Sequence, residues 1–425
     1  MKKKLYYELT FTQRSPLRIS VADSERTSKD LALDKRGMPF IPGFSIAGVL
    51  RSMMSDEASY DLFGGETASG GFAGSKVIVG DATLKETVPV KISVRDGVHL
   101  NEWGAVLNKY DYEIAETEYP YVSIVEWQGD EESYKKEIEE ILDPLFLEIQ
   151  EYGIGFGAGN SRGFGQMKAI VKKKVFTFPE DLSSWLDFDP YKKDDSSFET
   201  ERELSGKTAD TSLWTRIHTE FMIDGNFSIS VPTARVDRAE NGFSPDRIPL
   251  RNLRGNPVIS GTTLAGSFRH HMLKLCRELG IDKKQVDELF GIKDERQKIY
   301  TASKIHFSEC EITGGKNAVV TRNAVERFTG TPKVTGLFTA ELCYGGSGEL
   351  EISLSPEAGS LQKQLLAQAI YDLQLGLFAI GSESGTGRGR LRFKSFSVNG
   401  NDRTQLVTGR LQNSGDINTK DLLEA

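Results

Sequence analysis

Residues 39–51 read PFIPGFSIAGVLR, and residues 257–269 read PVISGTTLAGSFR. Pro, Ile, Gly, Ala-Gly and Arg recur at the same spacing, with Pro39 and Pro257 218 residues apart. Four further blocks return in the same order. Leu62-Phe63-Gly64 returns as Leu289-Phe290-Gly291, and Ser75-Lys76-Val77 as Ser303-Lys304-Ile305. Val94-Arg95-Asp96-Gly97-Val98 is matched by Thr321-Arg322-Asn323-Ala324-Val325, and Gly159-Asn160-Ser161-Arg162-Gly163 is set against Gly385-Thr386-Gly387-Arg388-Gly389. Five ordered blocks whose offsets stay between 218 and 228 point to one domain present twice.

Each copy carries the same coarse pattern. Strand signals open it (Leu5–Thr12 and Leu17–Val21; Thr215–Ile223 and Phe227–Val231), and the Pro-rich turn leads into a helix. Leu264, Phe268, Met272, Leu275 and Leu279 share one helical face, as do Ile46, Val49, Leu50 and Met53. Ser45, and Thr262 or Thr263, stand where N-caps belong. Strands over Lys76–Asp81 and Lys304–Cys310 follow, then an excursion, a second amphipathic helix around Ile138–Ile149 and Leu361–Leu373, a Gly-rich loop and a closing strand. The order βαββαβ predicts an α+β protein of two tandem ferredoxin-like or RRM-like domains. Their spans are 1–175 and 214–400, with a Ser/Asp/Lys-rich linker over 176–213 and a polar, frayed tail over 401–425.

Composition narrows the function classes. The 425 residues carry a formal net charge of -8, so any polyanion must be gripped by local patches rather than by the overall field. Three cysteines without a CxxC pair exclude a zinc knuckle or a disulfide framework, and a reducing cytoplasm fits them. No apolar run is long enough for a membrane span, and the start, MKKKLYYELT, is a strand pattern rather than a secretory signal. The five histidines fill no matching positions in the two copies and form no HExxH.

The recurrent loops carry the chemistry. GIGFGAGNSRGFG (153–165) and IGSESGTGRGRLRF (380–393) do not satisfy GxGxxG and lie after a helix and before a strand, which disfavours a dinucleotide site. A backbone cradle for nucleic-acid phosphates is the stronger reading, built on Gly159, Ser161, Arg162 and Gly163 in one copy and Gly385, Gly387, Arg388 and Gly389 in the other. The plain alternative is a flexible turn. The second candidate is the helix entry, where Gly43 with Ser45, and Gly261 with Thr262, bring amides to a helix N-terminus. Arg51 and Arg269 lie two turns further on. Capped helices with surface arginines are the plain reading here. Tyr110, Tyr112, Trp103 and Phe328 are candidates for base stacking or for hairpin packing.

A Pro-x-Ile-Pro-Gly-x-Ser-x-x-Gly-x-x-Arg turn, then Leu-Phe-Gly, then a late Gly-rich Arg-Gly loop resembles the RAMP superfamily, and more narrowly the backbone subunits of type III CRISPR effectors in a fused two-copy form. The resemblance covers both halves. Ala47 and Ala265 depart from it, because members usually carry Lys there, which implies a lost or displaced phosphate contact. The resemblance implies that each copy holds a segment of guide RNA (crRNA) against a single-stranded target RNA, beside other effector subunits. It also implies that the excursions beyond Arg95 and Arg322 act as thumb hairpins.

In catalytic members an Asp on the loop before the Pro-Gly turn helps to cut the target. Carried over, this gives Asp246 and Asp30, with Asp23, Asp34 and Asp237 as rivals on the same loops. A carboxylate there would hold hydrated Mg²⁺ or another divalent cation near a phosphate, or orient a 2′-OH for in-line attack. The metal's own ligands are not legible, and a loop Asp that merely caps a turn is the plain reading. The expectation is therefore an RNA-guided, metal-dependent endoribonuclease subunit. Alternatives are a non-catalytic guide-binding subunit, a guide-processing endoribonuclease, and, least favoured, a small-molecule enzyme.

Overall fold

The computed structural model of the protein describes residues 1–20, 30–66, 71–100, 106–192, 198, 203–206, 214–227, 229–232, 245–294, 299–408 and 422–423. They form two compact units. One is Met1–Gly97 with Tyr110–Asn160 and Phe164–Ser212; the other is Leu213–Ala425 with Val98–Lys109 and Ser161–Gly163.

In the first unit the strand Lys2–Gln13 turns Leu5, Tyr7, Leu9 and Phe11 into the core, while Tyr6 is buried on its other face. That strand is the centre of an antiparallel sheet. Tyr121–Asp130 lies on one side of it with Val77–Val79 beyond, and Gln166–Phe178 lies on the other. Counted along the chain, the spatial order is 2-3-1-4, the ferredoxin-like order that βαββαβ connections produce. Helix Gly43–Ser52 and the helical stretch Tyr134–Tyr152 close the core over the sheet with Ile46, Leu50, Ile138, Leu142, Phe146 and Ile149. Pro144 removes an amide from that stretch, and the turns before it are wound wide, with the Asp143 amide reaching the Ile138 carbonyl.

The second unit repeats this topology. Ile305–Phe307, Ser347–Leu354, Thr215–Asp224 and Arg390–Val398 stand in the same order, covered by helices Gly261–Leu279 and Ser360–Leu375. The duplicated α+β reading is therefore the architecture of the chain. Both excursions are β-hairpins, Lys91–Leu100 with Val106–Glu116 and Lys316–Val325 with Pro332–Tyr344. Arg95 and Arg322 lie inside the first strand of each hairpin instead of ahead of it.

Much of the internal repeat has a packing cause. Ser75 Oγ bonds the Leu62 and Val77 carbonyls, and Ser303 Oγ bonds the Leu289 and Ile305 carbonyls, clasping the Leu-Phe-Gly corner to the following strand in both units. Gly43 and Gly261 allow the helix entry to press on that strand. A Cβ on Gly43 would stand 2.3 Å from the Val79 carbonyl oxygen, and one on Gly261 2.9 Å from that of Phe307.

Three expectations are corrected. The stretch read as a linker begins inside the closing strand, and its aromatic residues cover the outer face of the first sheet. There Phe188 packs on Tyr6 and Phe176, Trp185 packs on Phe178, and Phe198 is buried against Phe188. A stretch whose polar composition reads as a linker still holds enough aromatic area to bury. Within the stretch read as a frayed tail, Val407, Leu422 and Leu423 are buried in the second core. Finally, the helix caps fall earlier than Ser45, Thr262 or Thr263. The N-cap positions are Pro42 and Ser260, and Ser260 Oγ accepts the Thr263 amide.

Candidate nucleic-acid interface

The helix entries are already satisfied by the chain itself. The Gly43 amide donates to Asp81 Oδ1 at 2.7 Å, so a carboxylate occupies the anion position that the turn offers. The Ser45 amide returns to the Pro42 carbonyl. In the second unit the Thr262 hydroxyl lies 3.0 Å from Ser260 Oγ. Asp81→Ala is expected to lower the stability of the first unit by about 1 kcal/mol, the usual cost of a lost helix-end carboxylate, read as a melting-temperature drop of a few degrees.

Arg51 and Arg269 share a structural task. Arg51 Nη2 reaches the Gly64 carbonyl at 3.3 Å, and Arg269 Nη2 bonds Asp287 Oδ1 at 2.7 Å. Each ties the first helix to the next one, Asp56–Phe63 or Lys284–Phe290. Their recurrence therefore has a packing explanation, although both side chains stay largely exposed.

The Gly-rich loops match in a register that differs from the one read off the letters. Asn160–Arg162 and Ser384–Thr386 each form a single 3₁₀ turn, 224 residues apart. Positive φ follows the same spacing: Gly157 and Gly381 (81° and 97°), Gly159 and Glu383 (81° and 61°), Gly163 and Gly387 (both 82°), Gly165 and Gly389 (64° and 75°). Arg162 thus corresponds to Thr386, and Arg388 to Phe164. The apparent Arg-Gly repeat is a two-residue coincidence.

That register explains two different constructions at one place. In the first unit Phe164 is buried, the Arg95 guanidinium lies 5.6 Å from its ring, and Tyr112 meets it edge-on at 5.6 Å. Arg18 stacks 3.9 Å over the other ring of this group, Tyr112. Tyr112 is thus hairpin packing rather than a free base platform. In the second unit Arg388 takes the place of Phe164. Arg322 and Arg388 both contact the carboxylate of Glu383, and burial holds the Arg388 guanidinium below its ordinary pKa. Ser161 and Arg162 are half-buried, while Gly385 and Gly387 are exposed. Sequence reasoning missed Glu383 because it sits at a left-handed position that the other copy fills with glycine.

The two carboxylates carried over from the resemblance are not equivalent. Asp246 precedes the strand Arg247–Pro249, whose Arg247 pairs with Ala340 on the second hairpin. Its amide donates to the Thr339 carbonyl, and its Oδ2 accepts the Thr339 amide at 2.8 Å, so the exposed carboxylate is clamped to the hairpin base. Asp30 is half-buried beside Leu31, the partner of Ser20. The matching bridge in the second unit, Ser230 with Pro249, makes Asp30 the counterpart of Ile248, two residues past Asp246. Asp34 is engaged as a turn clamp, with its pKa lowered although burial opposes this, because the Met38 and Arg36 amides and the Arg36 guanidinium bond it. Asp23, Asp237 and Trp103 lie outside the described residues. Phe328 is 94% exposed.

Among the described residues no group of three His, Cys, Asp or Glu side chains comes together to hold a metal ion. A lone carboxylate fits Mg²⁺ only where waters and substrate phosphates complete the shell. No helix among them is long and apolar enough to cross a membrane.

No curated protein matches the chain. Among solved structures, a chain of the cryo-EM structure of the type III-B Cmr-beta bound to cognate target RNA is similar at 16% identity with a TM-score of 0.32. The match covers 41% of this chain and 61% of that one. The decisive comparison is with a family profile, which matches twice, once in each unit's span, over residues 10–168 and 208–392. The chain belongs to the RAMP superfamily.

Proposed function

We propose that this chain is a two-unit backbone subunit of a type III CRISPR effector, which holds guide RNA along both units and cuts target RNA beside Asp246. The observation that carries this reading is the duplication itself: two ferredoxin-like units of the same superfamily, each with a hairpin inserted at the same place. Asp246 is favoured over Asp30 as the cutting residue, because its carboxylate is exposed and fixed at a hairpin base, whereas Asp30 is out of register with it.

In such a site the chain's own contribution is positional. The Thr339 amide fixes one carboxylate oxygen of Asp246 and leaves the other to face a ribose or a phosphate. A divalent cation bound there would neutralise charge on the scissile phosphate. Guide RNA, target RNA and the neighbouring effector subunits are the partners on this reading, in the cytoplasm.

The test is Asp246→Asn and Asp30→Ala in the reconstituted ribonucleoprotein. Asp246→Asn is expected to leave assembly intact and to lower cleavage at one target position by at least about a hundredfold, the scale of a lost catalytic group. Asp30→Ala is expected to leave that position unchanged. Uncut target in the wild-type complex, or undiminished cutting by Asp246→Asn, favours the second reading, a non-catalytic guide-binding subunit. The double hydrogen bond between Asp246 and Thr339, a turn clamp in its own right, speaks for that reading.

A further inference from the structure

The Arg322–Glu383–Arg388 cluster has two positive charges for one negative. Its members are graded in exposure: the Arg388 side chain is 9% exposed, Glu383 27% and Arg322 36%. Arg388 Nη1 is buried without a hydrogen-bond partner, although the Glu383 carboxylate lies against it. Glu383 also holds φ at 61°, a left-handed conformation that costs a non-glycine residue about 1–2 kcal/mol. The equivalent residue, Gly159, has no such cost and no charge. Beside Glu383 the backbone of Gly385 and Gly387 is open, with no atom within 4 Å of where a Cβ would stand.

A guanidinium fork recognises carboxylate and phosphate through the same planar geometry. We propose that Glu383 is an internal stand-in for an RNA phosphate between Arg322 and Arg388, so that the second unit takes up a phosphodiester only by exchanging it for this carboxylate. The inference rests on the RNA-binding reading above and deepens it. The two units then grip RNA unequally. The first offers a loop that holds no carboxylate and on which Arg95 packs against Phe164. The second offers a charged site with a built-in competitor.

The test uses the full chain and a labelled single-stranded oligouridylate over a range of salt. Glu383→Gln keeps the shape and removes the charge. It is expected to tighten binding about five- to tenfold at moderate salt and to steepen the log K against log[salt] slope by about 0.7, one more phosphate contact on a single strand. Glu383→Gln with Arg322→Ala is expected to lose that gain. A melting curve separates this from a merely structural role, because the temperature rise produced by the oligouridylate should be larger in Glu383→Gln than in the wild type. Equal affinity, slope and RNA-induced rise in a wild type that binds RNA would overturn the inference alone. A wild type that binds no RNA at low salt would overturn the RNA reading and the inference with it.

Discussion

Gly389→Ala is expected to unfold the second unit or to lower its melting temperature by more than ten degrees, and Gly165→Ala to do the same to the first. A Cβ on either glycine would stand 1.9 Å from a carbonyl oxygen, that of Ile380 or Phe156. Neither neighbour can step aside. The Ile380 amide donates to the Gly389 carbonyl at 2.9 Å, and the Gly389 amide donates to Asn226 at 2.8 Å. The first unit repeats both bonds, from Phe156 to Gly165 and from Gly165 to Pro16. Alanine would add left-handed strain of about 1–2 kcal/mol and force apart two backbone hydrogen bonds, whose buried ends cost about 1–3 kcal/mol each. The terms sum to roughly 3–8 kcal/mol; the middle of that range, about 5 kcal/mol, is a large share of a domain's stability and amounts to about 10–20 °C at this size. Gly385→Ala is the control. Its Cβ would enter open space, so it should stay within about 0.5 kcal/mol of the parent. Melting curves that fail to separate Gly389→Ala from Gly385→Ala would show that these loops are flexible turns rather than fixed frames.

The loops also mark where the sequence could and could not be read. The duplication and the 2-3-1-4 sheets were legible, because Pro-x-Ile-x-Gly, Leu-Phe-Gly and the Ser-Lys pair each answer a packing demand that both units share. The loop register was not. Its determinant is a series of left-handed residues, and Glu383 breaks the glycine pattern in one copy, so Arg-Gly letters aligned two residues out of place. Asp81 and the Thr339 clamp were hidden because their partners are distant in the chain. The covering role of Trp185, Phe188 and Phe198 was masked by the Asp and Lys letters around them.

Glu383→Gly should destabilise the second unit by roughly 1–4 kcal/mol, and adding Arg388→Phe should restore most of that loss. The single change relieves the left-handed strain, about 1–2 kcal/mol, yet it leaves Arg388 buried beside Arg322 without a counter-charge. Removing one partner of a buried ion pair costs about 3–5 kcal/mol, so the electrostatic loss wins. Arg388→Phe then removes the stranded charge and supplies the ring that the first unit uses at this position, where Phe164 is 2% exposed and Arg95 lies 5.6 Å away. Arg388→Phe alone should be milder, since Glu383 keeps Arg322 as a half-exposed partner. The three variants and the parent make a double-mutant cycle, read from the melting of the second unit, with an expected coupling of about 2 kcal/mol or more. Additive effects, with a coupling below about 0.5 kcal/mol, would mean that Glu383 and Arg388 do not act as a pair. The register that equates Arg388 with Phe164 would then lose its energetic support.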